Sequence, residues 1–203
     1  MPCEIIDDFN MNSARIEFDE NAPTNTRLFT LPFQGEPSEI DEITFKSNDL
    51  NQSKLNSYFE IKSKTLLLKA HYDLDVIQLD LIEILFTCSS KVSNVENTFL
   101  LYVTINDVND KAPEFIGVPY AFSIKELVPV GTTVFQNIKA IDRDLPDKPN
   151  SQISFSIIKG PCSEYFEFPL TTKSDLATSK LIQYDLFSKC NLTIKAIVIF
   201  EFY

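Results

Sequence analysis

The sequence predicts an all-β protein that contains two copies of one β-domain. Apolar residues recur at alternate positions in short runs, clusters of Asn, Asp, Pro and Ser separate these runs, and the two halves of the chain resemble each other. Strand-like runs spaced roughly 8–12 residues apart are typical of a β-sandwich or a β-barrel. A length of 203 residues accommodates one large domain or two small ones.

The individual strands are predicted from residues that alternate between two faces. Period-two alternation occurs in FLLYVTIN (99–106), YAFSIKE (120–126) and QISFSII (152–158), and it places apolar side chains on one face of a strand. LIEILFT (81–87) is apolar on both faces, but its short length and its β-branched and aromatic content favour a strand over a helix. No segment carries a convincing helical stripe.

The internal repeat becomes visible when the two halves are compared. IEFDENAPTNTRLFTL (16–31) and FSIKELVPVGTTVFQNI (122–138) each read as strand, glutamate, proline, threonine and strand, with Glu20 opposite Glu126. YDLD (72–75) has its counterpart in YDLF (184–187). We therefore predict two domains, residues 1–110 and residues 111–203.

Composition excludes several classes of function. The formal net charge of −11 argues against nucleic acid and anionic membranes as partners and permits cations or basic proteins. Four glycines, at positions 35, 117, 131 and 160, cannot form a phosphate-binding loop. No apolar run is long enough to span a bilayer, and the N-terminal MPCEIIDDF is not a signal peptide, so a secreted parent would need a leader that this chain lacks.

The cysteines and two tripeptides are candidates for covalent modification. Two cysteines in each half suggest the pairs Cys3–Cys88 and Cys162–Cys190, but four cysteines permit three connectivities and buried free thiols are the alternative. Asn51-Gln-Ser53 and Asn191-Leu-Thr193 are acceptor sequences for N-linked glycans, although such tripeptides also occur by chance.

Carboxylates cluster where the two repeats would abut. The stretch LLYVTINDVNDKAPEF (100–115) ends a strand in three oxygen donors ahead of a proline, a pattern that a simple turn could also explain. The carboxylates of this stretch and of three further short stretches are Glu20, Asp73, Asp75, Asp107, Asp110, Asp142 and Asp144. Seven like charges in a small volume need counter-ions, and oxygen ligands without His or Cys select calcium or magnesium.

These stretches carry a family resemblance. DVNDKAPEF (107–115) resembles the Asp-x-Asn-Asp-x-x-Pro linker between extracellular cadherin repeats, and AIDRD (140–144) followed by Asn150 resembles the Ala-x-Asp-x-Asp motif of the next repeat. ENAP (20–23) supplies the glutamate of the family, and YDLD stands where Asp-x-Glu is usual. The four motifs occur in the order and at the spacing of the family over nearly the whole chain.

The resemblance implies a fold and a set of ligands. It implies two tandem Greek-key β-sandwiches of about seven strands each, the second lacking its last strand, with two to three calcium ions at the linker. Glu20 and Asp75 would bridge two ions, while Val108, Lys111 and Asn150 would contribute backbone carbonyls. The implied metal ligands are Glu20, Asp73, Asp75, Asp107, Val108, Asn109, Asp110, Lys111, Asp142, Asp144 and Asn150.

The chain also departs from the family pattern. LPFQGEPSEID (31–41) replaces the Asp-x-Asp of the first repeat, which is expected of an outermost repeat. Val198 stands where the family has an aspartate that ligates the third ion, so that site would be weakened or empty. The chain stops about one strand short of a full sandwich, and residues 196–203 are expected to lie outside the parent sequence.

Two features refine the kind of cadherin. The chain contains no tryptophan, which excludes adhesion by exchange of an N-terminal tryptophan. The Cys3…Cys88 spacing, ELVPVGTT (126–133) and YFEFPL (165–170) resemble the tip-link protocadherin of hair bundles and its microvillar relatives.

The resemblance implies calcium-dependent cell–cell adhesion at the cell surface, without enzyme activity. The implied partner is another cadherin, the same or different, on an opposing cell, and the parent would be anchored in the plasma membrane. A metal-dependent hydrolase that uses Asp/Glu pairs is one alternative, but the lone His71 has no nucleophile motif beside it. The other is a metal-free β-sandwich module that binds proteins, in which the acids would be ordinary solvated turns.

Overall fold

The structure of the chain is a computed structural model that describes residues 2–6, 12–36, 40–90, 96–158 and 160–199. The chain divides into two compact units, Met1–Val108 and Asn109–Tyr203. In the described ranges no helix is long and apolar enough to cross a membrane.

The first unit contains two β-sheets. Its strands are β1 (Ser13–Asp19), β2 (Arg27–Thr30), β3 (Ile40–Ser47), β4 (Phe59–Lys62), β5 (Thr65–Leu68), β6 (Leu81–Ser90) and β7 (Glu96–Asn106). One sheet has the order β1-β7-β6-β3, with β1 parallel to β7 and the other pairs antiparallel. The other sheet has the antiparallel order β2-β5-β4.

Alternation along β6 and β7 builds the core of the first unit. Every second residue of β6 from Ile82 onward is buried, as expected when successive side chains of a strand point to opposite faces. Phe99 of β7 stacks on Phe29 of β2 with ring centroids 5.7 Å apart, which links the two sheets through aromatic contact. The predicted strands at 81–87 and 99–106 are therefore confirmed.

The first unit also contains two short helices, although the sequence carries no convincing helical stripe. Helix α1 (Gln52–Tyr58) begins at Asn51, whose side chain accepts a hydrogen bond from Lys54 N. Helix α2 (Leu74–Ile77) begins at Asp73 in the same way, through Val76 N. Side-chain caps of this kind satisfy amide groups that the first turn of a helix leaves without a backbone partner. Neither helix is long enough to show a periodic apolar stripe.

A disulfide holds the N-terminal segment against the first unit. Cys3 is bonded to Cys88 of β6 across 85 positions of sequence, with the two Cα atoms 5.5 Å apart. Backbone bonds between Cys3 N and Gln34 O (3.0 Å) and between Gln34 N and Glu4 O (2.7 Å) pair this segment with Gln34, and Ile5 forms a β-bridge with Phe33. The predicted pairing of the first two cysteines is confirmed.

The second unit contains shorter strands. They are β8 (Glu114–Ile116), β9 (Thr133–Phe135), β10 (Lys139–Ile141), β11 (Ile153–Ile158), β12 (Phe166–Glu167), β13 (Leu176–Thr178) and β14 (Thr193–Val198). Their antiparallel pairings are β8 with β10, β11 with β14, and the order β12-β13-β9. The predicted strand at 152–158 is confirmed as β11. Val198 is buried at the end of β14. Of residues 196–203, which were expected to lie outside the parent sequence, residues 200–203 are outside the described residues.

The predicted strand at 120–126 is wrong. Phe122 stacks on Phe135 with centroids 4.9 Å apart, but no strand pairing is described for this segment. Side chains at alternate positions therefore pack against the core as they would in a strand, but in the described residues the backbone forms no β-sheet hydrogen bonds with another strand. The segment contributes Tyr120 and Ile124 to the edge of a core centred on Phe155 and Leu176.

The disulfide Cys162–Cys190 also forms in the second unit, with Cα atoms 6.2 Å apart, as the pairing within halves predicts. The chain as a whole is mostly β and consists of tandem sandwich-type domains, in agreement with the predicted fold class.

Candidate metal centre

A buried glutamate organises one end of the first unit. Glu20 directly follows β1, and only 1% of its surface is exposed. Its Oε2 accepts a hydrogen bond from Leu74 N at 2.7 Å, and its Oε1 accepts one from Val108 N at 2.8 Å. One carboxylate therefore joins the end of β1, the start of α2 and the segment after β7, which are far apart in sequence.

The surroundings of Glu20 disfavour its negative charge. Burial is the largest cause that raises its pKa, and the nearby carboxylates of Asp75 and Asp107 raise it further. The two backbone amides from Val108 and Leu74 lower the pKa but do not cancel these effects. A cation beside Glu20 would stabilise the ionised carboxylate and its acidic neighbours together.

Helix α2 brings two further acids to Glu20. Glu20, Asp73 and Asp75 each offer a carboxylate oxygen, and these oxygens lie within 4.8 Å of one another. Asp73 is fixed by its cap bond to Val76 N (3.3 Å), and Asp75 follows in the first turn. Three hard oxygen donors at this separation match the preference of calcium or magnesium.

A second acidic group lies in the second unit, directly after β10. Asp144 is 1% exposed, and its Oδ1 accepts a hydrogen bond from Lys111 N at 3.0 Å. Asp142 Oδ1 accepts a hydrogen bond from Asp144 N at 2.9 Å. The other oxygen of Asp142, Oδ2, is buried and has no hydrogen-bond partner among the described residues. Since an uncompensated buried carboxylate oxygen costs free energy, this oxygen fits the role of a metal ligand.

The remaining predicted ligands are Asn150 and three residues on the segment between β7 and β8, namely Asp107, Asn109 and Asp110. Asn109 Nδ2 contacts the backbone oxygen of Asn150 at 3.5 Å, so these two predicted ligands are neighbours in the second unit. Asp110 is exposed, and its carboxylate forms an ion pair with the ammonium group of Lys111. Asp107 is half-buried beside Glu20.

Within the first unit the structure thus brings together Glu20, Asp73, Asp75, Asp107 and Val108. Within the second unit it pairs Asn109 with Asn150, and it separately joins Asp144 to Lys111 and to Asp142. His71, the lone candidate for catalysis, lies on an exposed loop.

Sequence reasoning did not find the amide groups that hold Glu20. Leu74 N and Val108 N are backbone donors, and every residue except proline carries such a donor, so no residue type marks them. The chemistry that fits both acidic groups is binding of a hard divalent cation.

Comparisons with known proteins find cadherins and cadherin-related proteins that are similar to parts of this chain. No family model matches the chain. Cadherin-99C of Drosophila melanogaster is 31% identical over 119 residues, which is 55% of this chain and 7% of that protein. Cadherin-related family member 1 of Gallus gallus is 29% identical over 135 residues, which is 66% of this chain and 15% of that protein. The chain therefore spans only a small part of the length of these relatives.

The fold has solved counterparts. The ectodomain of human desmocollin-1 superposes with a TM-score of 0.70 over 96% of this chain and 37% of that chain, at 18% sequence identity. At that identity the similarity shows the fold alone.

Proposed function

We propose that this chain, a pair of extracellular repeats of the cadherin superfamily, acts in calcium-dependent cell–cell adhesion. The cadherin relatives indicate an extracellular or cell-surface location. The observation that carries the calcium part of the proposal is the cluster of Glu20, Asp73 and Asp75, whose carboxylate oxygens lie within 4.8 Å of one another.

Calcium is the ion that these donors suit best. It takes six to eight oxygen ligands in tolerant geometry, whereas magnesium demands a near-ideal octahedron and retains waters. The first unit offers carboxylates from Glu20, Asp73, Asp75 and Asp107, and the second offers Asp110, Asp142 and Asp144. When bound, two to three calcium ions supply the positive charge that allows these acids to ionise side by side.

The segment that joins the units contacts an acid from each. Glu20 of the first unit accepts a bond from Val108 N, and Asp144 of the second accepts one from Lys111 N. Three residues of extended chain span at most about 11 Å, so the amides that these two acids hold are close by covalent connection alone. We infer that calcium ligands from both units share ions here, and that this sharing makes the pair rigid.

The affinity expected of such a site agrees with an extracellular role. Extracellular calcium modules bind at about 0.1–1 mM, which is the range of external fluid and far above that of cytosol. The two disulfides are also typical of an oxidising compartment. Calcium would therefore keep the repeats stiff only outside the cell.

The proposed partner is another cadherin, the same or different, on an opposing cell. The parent protein would be anchored in the plasma membrane, and the stiffened pair would hold the partner-binding surface away from it. The relatives are cadherins, which disfavours the hydrolase alternative. The metal-free binding module is the alternative that experiment must separate.

Thermal unfolding in calcium, in magnesium and in chelator tests the proposal. We expect calcium to raise the melting temperature substantially and magnesium to have a smaller effect, because ligands that bind only the folded state stabilise it. The exposed Glu17→Ala variant serves as a matched control that should keep the full calcium effect. Equal melting temperatures in calcium and in chelator would favour the metal-free module.

A further inference from the structure

Two acceptor sequences for N-linked glycans occur in the chain, and their surroundings differ. Asn191 lies between Cys190, which is bonded to Cys162, and Thr193, the first residue of β14. The backbone around that sequence is therefore held by a disulfide and a sheet. Asn51 instead begins α1, and its sequence Asn51-Gln52-Ser53 is exposed at all three positions.

The side chain of Asn51 is held through its oxygen alone. Its Oδ1 accepts a hydrogen bond from Lys54 N at 3.0 Å, and among the described residues its Nδ2 makes no hydrogen bond. The next side chain, Gln52, is turned back toward Phe45 O and Asn56 Oδ1, at 2.9 Å each. The amide nitrogen of Asn51 is thus the part of the side chain that remains available to a modifying enzyme.

From this geometry we infer that Asn51 carries an N-linked glycan, and that the same side chain still caps α1 when modified. In the reaction Nδ2 forms a bond to the anomeric carbon of an oligosaccharide carried on a lipid pyrophosphate. The bond from that carbon to the pyrophosphate oxygen breaks, the lipid pyrophosphate leaves, and Nδ2 loses one proton. Oδ1 is untouched, so its bond to Lys54 N persists.

The hydroxyl of Ser53 completes the acceptor sequence and makes no hydrogen bond within the described part of the chain. Ser53 lies exposed in the first turn of α1, while the helix is anchored one turn on by Leu55, which is 0% exposed. A glycan on Asn51 would project from the exposed start of α1 and shield the face around it. A protein partner would then bind the first unit elsewhere.

The inference rests on the extracellular location that belongs to the proposed function. The full chain is secreted from a eukaryotic host behind a cleavable leader, with Asn191→Gln as background so that only one acceptor sequence remains. Mass is measured before and after treatment with peptide N-glycosidase, which removes the glycan and converts its asparagine to aspartate. We expect the mass of one glycan on Asn51, lost completely on treatment.

Three variants separate the acceptor sequence from the helix cap. Ser53→Ala keeps Asn51 and its cap but should lose the glycan, and Asn51→Asp keeps an oxygen that can cap α1 but should also lose it. Ser53→Thr preserves the acceptor sequence and should retain the glycan. A secreted background chain with Cys3–Cys88 formed but without a glycan would overturn the inference. Because mass is read without calcium, this result is independent of whether the chain binds the ion.

Discussion

Glu20 and Val108 lie 88 positions apart in the sequence, yet Glu20 Oε1 accepts a 2.8 Å hydrogen bond from the amide of Val108. The same carboxylate accepts a bond from Leu74 N through its other oxygen. A buried acid with both oxygens held by the backbone is preorganised, because its orientation does not change when a cation arrives.

Replacing Glu20 with alanine should destabilise the first unit even without calcium. Each lost hydrogen bond to a charged group costs about 1.5–3 kcal/mol, so we expect a loss of about 3 kcal/mol or more in the free energy of unfolding. Calcium should then raise the melting temperature far less than in the parent chain. Denaturant unfolding of Glu20→Ala beside Glu17→Ala measures this, and indistinguishable unfolding of the two variants would contradict the role given to Glu20.

Without calcium, protonation of Glu20 at low pH should stabilise the folded first unit. Because the pKa of Glu20 is raised above its ordinary value of 4.5, the folded state holds the proton more tightly than the unfolded state. Its contribution to stability is therefore present below pH 4.5 and is lost as the pH rises through the folded pKa.

Unfolding by urea between pH about 4 and about 7, on protein stripped of calcium, measures this dependence. Glu20→Gln cannot titrate, so it should lose less stability than the parent chain as the pH rises. In saturating calcium the sign should reverse, because the ion favours the charged carboxylate. An identical pH dependence of the parent and of Glu20→Gln in the absence of calcium would contradict the prediction.

The acids of the second unit should control stiffness rather than folding. Asp110→Ala should change the free energy of unfolding in chelator by about 1 kcal/mol or less, because its side chain is exposed. Asp142→Ala should have a similarly small effect, because losing the hydrogen bond from Asp144 N is offset by removing the buried Oδ2, which has no partner among the described residues. Each should nevertheless abolish the effect of calcium on flexibility. Small-angle scattering with and without calcium measures this, and the exposed Glu167→Ala is the control that should respond like the parent. A calcium response that survives in both aspartate variants would count against shared ions.

Removing the N-terminal disulfide should destabilise the first unit strongly. Cys3 and Cys88 close a loop with a sequence separation of 85 residues, and the chain-entropy model assigns such a loop about 4–5 kcal/mol. The double variant Cys3→Ser/Cys88→Ser should therefore melt much lower than the parent. The pair Cys162–Cys190 closes a loop of 28, so its removal should cost less on the same model. A larger loss from the second pair would refute this ordering.

The strands were predicted correctly where a neighbouring strand forms backbone hydrogen bonds with the alternating segment. The segments at 81–87 and 152–158 form strands because partners pair with them on at least one edge. The segment at 120–126 has the same alternation, but no pairing is described for it, because alternation reports which side chains face a core and does not guarantee a hydrogen-bonding partner.

Helix α1 was missed because seven residues with one buried side chain, Leu55, carry no periodic signal. The cap at Asn51 is the only local indication, and asparagine is equally common in turns. At the candidate site, residue types were enough to group the acids. They could not reveal the amides of Leu74 and Val108, since a backbone donor has no signature in the sequence.

Calorimetric titration of the purified chain with calcium tests the central claim most directly. The account predicts saturable binding of two to three ions, with affinities of about 0.1–1 mM. It also predicts fewer bound ions when Glu20 is replaced by alanine. A parent chain that is folded, with both disulfides formed, and that binds no calcium at concentrations well above about 1 mM would contradict it.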